Sequence, residues 1–135
     1  MKLILDTCSI VWSIAEETRI PSASRAALTA ADSRIFVSPI SAAEVACAVE
    51  RKRLTLDRHW KRWFRHFIDL NGWDVVPVDL DIIEEAYSLP GEFHADPADR
   101  IIVATARRRG LAVVTADRKI LDYPHVEVLW EGNEG

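Results

Sequence analysis

The sequence has few of the features that mark secreted, membrane-spanning or nucleotide-binding proteins. Only two of its 135 residues are cysteines, Cys8 and Cys47, which is no disulfide framework and favours a reducing compartment. No apolar stretch approaches the roughly 20 residues that a membrane span needs, and no secretory signal pattern is seen. No glycine-rich phosphate loop is present. We therefore expect a cytoplasmic protein without a membrane partner.

Histidine and cysteine patterns also disfavour several enzyme classes. The segment from Cys47 to Arg53 matches the C-x5-R pattern of cysteine phosphatases, but it contains no glycine and falls within a predicted helix. A haloacid-dehalogenase-type phosphatase needs a second aspartate two residues after Asp6, where Cys8 stands. His94 is interpreted as a surface loop residue, although it precedes an acidic segment and an approach to a site there is the alternative. The four histidines show no zinc-ligand spacing: His59, His66, His94 and His125.

Short apolar segments alternate with helical patterns along the whole chain, which has 49% apolar and 28% charged residues. The pattern predicts strands at 3–5, 35–37, 74–78, 112–114 and 126–128. It predicts helices at 9–17, 23–31 with Ser22 as N-cap, 41–53, 57–70, 79–89 and 97–109, with a helical turn after Asp117. This alternation is typical of an α/β domain with a parallel sheet. We expect a single domain spanning residues 1–135, with residues 131–135 as a frayed polar tail.

Acidic residues follow the predicted strands, at the sheet edge where ligands of α/β proteins bind. The polar residues that fall there are Asp6, Glu44, Asp96, Asp99, Thr115 and Asp117. Carboxylates gathered at one edge repel one another, so their pKa values rise or the site binds a cation. Carboxylate oxygens suit Mg²⁺ or Mn²⁺, and such ions can activate water for attack on a phosphate.

Each acid also has a simpler explanation as a helix cap. The segment Ser41–Glu44 matches a capping box, and Asp96 precedes a proline as an N-cap would. Asp99 would then lie in the first helical turn, where negative charge favours the helix dipole. Asp117 could cap the turn after it. The capping explanation is weakest for Asp6, because Asn or Ser would cap a helix equally well.

Four segments together resemble one protein family: LILDTCSI, SPISAAEV, HADPADRIIVATA and LAVVTADRKI, in this order along essentially the whole chain. The sequence resembles the PIN-domain nucleases, and closely resembles the VapC-type toxins of bacterial toxin–antitoxin pairs. The resemblance implies a three-layer α/β/α domain with a short four- to five-stranded parallel sheet. It also implies a metal-dependent endoribonuclease that cleaves single-stranded or structured RNA through a metal-activated water, with no covalent enzyme nucleophile.

Matching motif positions imply the roles of individual residues. The catalytic and metal-binding residues would be Asp6, Glu44, Asp99 and Asp117. Asp96 and Thr115 would lie next to these ligands without binding the metal themselves. The resemblance further implies Mg²⁺ as cofactor with Mn²⁺ as a substitute, RNA as substrate and a VapB-like antitoxin as partner. We also expect a homodimer. Cys8 stands at a variable position of the first motif and puts no metal ligand in doubt.

The predicted helix 57–70 carries aromatic and basic residues on different faces. Core packing is the favoured interpretation of its aromatic residues, with base stacking or a dimer or partner interface as alternatives. These residues are Trp60, Trp63, Phe64 and Phe67. The basic residues form either a solvated surface or a contact for RNA phosphates. They are Arg58, Lys61, Arg62 and Arg65.

Two alternative functions remain open from the sequence. A receiver-like or other metal-binding regulatory module also places acids at strand ends, and Asp79 after residues 76–78 resembles a phosphoacceptor, although it better caps the next helix. A PIN fold that binds RNA without cutting it is the second alternative.

Overall fold

The computed structural model describes residues 1–131, which form a five-stranded sheet and seven α-helices. The strands are β1 (Lys2–Leu5), β2 (Arg34–Val37), β3 (Asp74–Val75), β4 (Ala112–Val114) and β5 (Val128–Leu129). The helices are α1 (Thr7–Ala15), α2 (Ser22–Thr29), α3 (Pro39–Glu50), α4 (Trp60–Asn71), α5 (Leu80–Ala86), α6 (Pro97–Arg109) and α7 (Arg118–Leu121). A 3₁₀ turn at Glu17–Arg19 links α1 to α2.

All neighbouring strands are parallel, in the order β3-β2-β1-β4-β5. The first strand of the chain is therefore the central one, with Leu3 paired to Ile35 on one side and to Ala112 on the other. Because all strands run the same way, their carboxyl ends meet at one edge of the sheet. The residues that follow β1, β2 and β4 are thus brought together at this edge.

Alternate residues of the strands pack against helices on opposite faces of the sheet. Ile4 of β1 belongs to a core cluster with residues of α5, α6 and α7. Leu3 and Leu5 belong to a second cluster with residues of α1, α3 and α4. The predicted three-layer α/β/α architecture is confirmed, because a strand buried on both faces must be covered on both.

The aromatic face of α4 is part of this second core. Trp63 and Phe64 are buried, and Trp60 and Phe67 pack partly buried against the same cluster. Trp63 and Phe67 lie with ring centroids 5.5 Å apart in an edge-to-face arrangement. The favoured interpretation of these residues, core packing, is confirmed.

The predicted capping box at Ser41–Glu44 is wrong. Helix α3 begins two residues earlier, at Pro39, with Ser38 as its N-cap. The Oγ atom of Ser38 accepts a hydrogen bond from the backbone N–H of Ile40 at 3.2 Å. Proline suits the first helical position because it needs no N–H partner there and its φ is already helical. Ser41 and Glu44 are consequently free for another role.

Several other predicted boundaries shift for local reasons. Helix α2 begins at Ser22 itself, with Pro21 at the N-cap position, so Ser22 is not the cap. Strand β3 stops at Val75 because Pro77 has no N–H to extend the ladder. Helix α4 begins three residues later than predicted, after His59, whose ring accepts the N–H of Lys61. The predicted tail lies outside the described residues from position 132 onward.

None of the helices within residues 1–131 has the length and apolar character of a membrane-spanning helix.

Candidate active site

The five predicted acids line one cavity of about 620 Å³ at the carboxyl edge of the sheet. They are Asp6, Glu44, Asp96, Asp99 and Asp117. The structure therefore brings together residues that come from four separate segments of the chain. Thr115, the sixth predicted residue, is fully buried and contacts Asp6.

Asp6 follows central strand β1 and is only 6% exposed. One carboxylate oxygen accepts the backbone N–H of Ser9 at 2.9 Å, so Asp6 caps α1. The other accepts the hydroxyl of Thr115 at 2.5 Å. Burial raises the pKa of Asp6, while the hydrogen bonds from Thr115 and Ser9 lower it and the charge of Asp117 raises it further. Asp6 is thus both a helix cap and a cavity residue.

Glu44 faces the cavity from within α3. Its Oε1 atom accepts a hydrogen bond from the hydroxyl of Thr7, and that hydroxyl oxygen lies 2.9 Å from the Oγ atom of Ser41. Burial raises the pKa of Glu44, and the charges of Asp96 and Asp6 raise it further. Ser41 and Glu44 are three apart in α3, so the spacing read as a capping box instead joins two residues on one helical face.

Asp96 and Asp99 open α6. Asp96 caps the helix by accepting the backbone N–H of Asp99 at 3.1 Å, as predicted. The pKa of Asp99 is raised to about 7, first by burial and then by the charges of Asp96, Asp117, Glu44 and Asp6. The cluster of like charges predicted from the sequence is therefore present at Asp99.

His94 is not the surface residue predicted from the sequence. Its side chain is 22% exposed, and Nε2 lies 3.1 Å from Oδ2 of Asp99 without hydrogen-bond geometry. Arg100 explains the difference, because it holds the loop before α6 inward. Its guanidinium donates to the carbonyl oxygens of His94, Phe93 and Ala86 at 3.0, 2.8 and 2.9 Å. The sequence could not show these backbone acceptors.

The basic residues predicted on α4 do not line the cavity. Lys61, Arg62 and Arg65 are exposed, and Arg58 pairs with Asp57 at 2.9 Å. Three residues that sequence reasoning did not assign to the site line the cavity instead: Trp12, Arg51 and Arg53. The only sequence signal for the arginines was their place in the basic segment between residues 51 and 65.

Both cysteines, Cys8 and Cys47, also line the cavity as free thiols. Burial raises the pKa of Cys8, and the charges of Asp6, Glu44, Asp117 and Asp99 raise it further. The Cys8 thiol is therefore protonated near neutral pH, which makes it a poor nucleophile and a poor ligand for a soft metal.

The donor set fits a hard divalent cation such as Mg²⁺ or Mn²⁺, because every acidic group in the cavity offers carboxylate oxygens. Burial and then the neighbouring negative charges raise the pKa of Asp99, and a bound cation would offset both effects. In residues 1–131 no three acidic, histidine or cysteine side chains are already grouped as a metal cage. Asp6 and Glu44 are each hydrogen-bonded to a hydroxyl instead.

The receiver-like alternative is wrong. Strand β3 lies at the edge of the sheet, and Asp79, which follows it, caps α5 by accepting the N–H of Ile82 at 3.0 Å. It does not line the acidic cavity.

Comparisons with known proteins agree with this fold. Ribonuclease VapC22 from Mycobacterium tuberculosis strain H37Rv is 32% identical over 123 residues, covering 91% of this chain and 92% of that protein. The VapBC2 structure from Rickettsia felis, bound to a promoter DNA fragment, matches with a TM-score of 0.70 and 18% identity over 96% of this chain and 99% of that one. DNA-bound VapBC from Salmonella typhimurium matches with a TM-score of 0.67 and 21% identity over 97% and 98%. These two structures support the fold.

A family model described as the PIN domain matches residues 3–126, and so includes all six predicted site residues. The similarity to a VapC protein confirms the narrower resemblance drawn from the four sequence motifs. The chain belongs to the PIN-domain family, and its VapC-type resemblance holds over almost its whole length.

Proposed function

We propose that this protein is a Mg²⁺-dependent endoribonuclease, with Mn²⁺ as a substitute ion. The observation that supports this proposal is that five carboxylates line one cavity, where the pKa of Asp99 is raised to about 7. Asp6, Glu44, Asp99 and Asp117 would hold the metal. When bound, it would supply a water that is nucleophilic at neutral pH and positive charge for the phosphodiester.

The residues around the acids would orient them. Thr115 donates to Asp6 and accepts the backbone N–H of Asp117 at 3.0 Å, so one hydroxyl links two of the acids. Thr7 donates to Glu44 from the first turn of α1. Asp99 must lose its proton to bind a metal ion, and metal binding near neutral pH would therefore release a proton. Asp96 supports the site as the cap of α6 rather than as a ligand.

We further propose that the protein acts as a toxin restrained by an antitoxin of the VapB type. The relative from Mycobacterium tuberculosis is named a ribonuclease, and the structural neighbours include VapBC pairs and a toxin–antitoxin complex from Klebsiella pneumoniae. Expression alone should arrest bacterial growth, and co-expression of the cognate antitoxin should relieve the arrest. Harmless expression at high yield would remove this part of the proposal. The homodimer stays a prediction.

RNA cleavage by the purified protein tests the enzymatic proposal. Mixed single-stranded and structured RNAs are incubated with Mg²⁺, with Mn²⁺ and with a chelator. Asp99→Asn should lower cleavage by orders of magnitude, whereas Asp81→Asn should not, because Asp81 is exposed on α5 outside the cavity. Full cleavage in excess chelator contradicts the proposal. RNA binding without cleavage under all conditions favours the non-cutting PIN fold instead.

A further inference from the structure

The cavity extends beyond the acids along two helices, where aromatic and basic residues line it. On α1 the cavity wall continues from Cys8 to Trp12, four residues later and hence on the same helical face. On α3 the wall runs along one face from Glu44 to Arg51, which lies seven residues or about 10 Å further along the axis. An aromatic ring and positive charge thus adjoin the acids in one cavity.

The turn after α3 brings a second arginine to the same wall. Arg51 ends the helix, and Lys52 has a positive φ of 58°, a conformation that favours glycine. The backbone N–H of Arg53 returns to the carbonyl of Ala48 at 2.9 Å. Arg51 and Arg53 therefore both line the cavity, whereas Lys52 between them does not.

The two arginines of this wall have no charged partner among the described residues, whereas Trp12 is packed against neighbours. Within residues 1–131, neither Arg51 nor Arg53 forms a salt bridge, although the same cavity contains five acids. Trp12 contacts Trp130, with ring centroids 5.7 Å apart, and the Arg19 guanidinium lies over its ring at 4.6 Å from the centroid, while Trp12 still lines the cavity. A held ring beside two unpaired guanidinium groups is the combination that binds unpaired bases and their phosphates.

We infer that Trp12, Arg51 and Arg53 form a nucleotide subsite that stacks an unpaired base on Trp12 and binds the adjoining phosphate through the arginines. A base inside a duplex cannot reach a ring within a cavity, so the subsite selects single-stranded RNA. This inference rests on the proposed function, since it places the RNA beside the acids that would cut it. It replaces the basic surface of α4 as the main RNA contact.

Binding of a fluorescein-labelled polyuridine of about 12 nucleotides, followed by anisotropy in chelator, tests the subsite without cleavage. Trp12→Ala should weaken binding about tenfold, and Trp12→Phe by no more than about threefold because its ring still stacks. Arg51→Gln with Arg53→Gln should weaken binding and lower the salt slope by up to about 1.4. The matched control, Arg108→Gln with Arg109→Gln, removes the same charge at the far end of α6 and should change neither.

Equal weakening by the two arginine pairs would overturn the subsite, and so would equal losses in Trp12→Phe and Trp12→Ala. Wild type that binds a duplex as tightly as the single strand would also overturn it. If Trp12→Ala instead reduces only antitoxin binding, this wall is a protein interface. The arginine variant keeps the test valid if Trp12→Ala fails to fold, because both arginines are exposed.

Cleavage assays separate this inference from the proposed function. In Mg²⁺ the Trp12 and arginine variants should raise KM while keeping kcat near that of wild type. If wild type cuts RNA and these variants have an unchanged KM, the nuclease proposal stands and the subsite is contradicted. Wild type that shows the expected binding pattern but never cuts retains the subsite and loses the nuclease.

Discussion

The hydroxyl of Thr115 lies 2.5 Å from Oδ2 of Asp6, across 109 positions of sequence. The bond joins the end of central strand β1 to the segment after β4, and the same hydroxyl accepts the N–H of Asp117. A buried carboxylate needs such donors, because it loses its hydration on folding. Thr115 is therefore a structural requirement of the acidic cavity.

Thr115→Val should destabilise the protein by about 1–3 kcal/mol, since it leaves a buried carboxylate without one donor at nearly constant shape. Thr115→Ser keeps the hydroxyl and should cost less. Urea denaturation of the three proteins in chelator measures the difference. Equal stability of the valine and serine variants would show that the hydroxyl contributes nothing.

The metal-free protein should lose stability as pH rises toward 8. The pKa of Asp99 in the folded state is about 7, above its ordinary value of 3.8. The contribution of Asp99 to stability is therefore fully present below about pH 4 and is lost as the pH rises through 7. Allowing for solvent screening, we expect a loss of about 1–2 kcal/mol. Asp99→Asn should remove most of this dependence and Asp81→Asn should keep it. Thermal melts between pH 4 and 8 measure the effect.

Added Mg²⁺ should stabilise wild type by about 1–3 kcal/mol at concentrations well above its dissociation constant. Asp6→Asn should respond much less, although asparagine can still cap α1 through the N–H of Ser9. Melts of both proteins with chelator and with Mg²⁺ provide the comparison. Identical shifts would exclude Asp6 from the metal site.

Arg100→Lys should destabilise the protein by about 2–3 kcal/mol and lower RNA cleavage. An ammonium group cannot reproduce the planar fork that binds three carbonyl oxygens, so the loop bearing His94 loses its hold. Arg118→Lys is the matched control, since Arg118 is exposed and its one salt bridge within residues 1–131 is to Asp122, just after α7. Denaturation and cleavage assays should separate the two variants.

Lys52→Gly should stabilise the protein by about 1 kcal/mol, because glycine adopts a φ of 58° without steric cost. Arg65→Gly, at an exposed position in the middle of α4, should instead destabilise it by about the same amount. A destabilising effect of Lys52→Gly in urea denaturation would show that the Lys52 side chain has a role of its own.

The sequence predicted that the acids lie together at one edge of the sheet, because their positions depend on local rules. A buried strand that stops at Asp6, or a proline that follows Asp96, is visible without the fold. The capping-box prediction was wrong because α3 begins earlier, at Pro39. Glu44 therefore does not cap the helix and accepts a hydrogen bond from Thr7 instead. Arg53 reaches the site only through the turn after α3, where Lys52 has a positive φ that no local pattern of residues indicates.

The position of β1 at the centre of the sheet determines when the cavity can form during synthesis. Thr115 leaves the ribosome 109 residues after Asp6. At about 5–20 residues per second this interval lasts roughly 5–20 seconds. Until β4 emerges, central strand β1 lacks one of its two neighbours and Asp6 lacks Asp117 beside it. A nascent or prematurely ended chain that stops before β4 therefore has no assembled site.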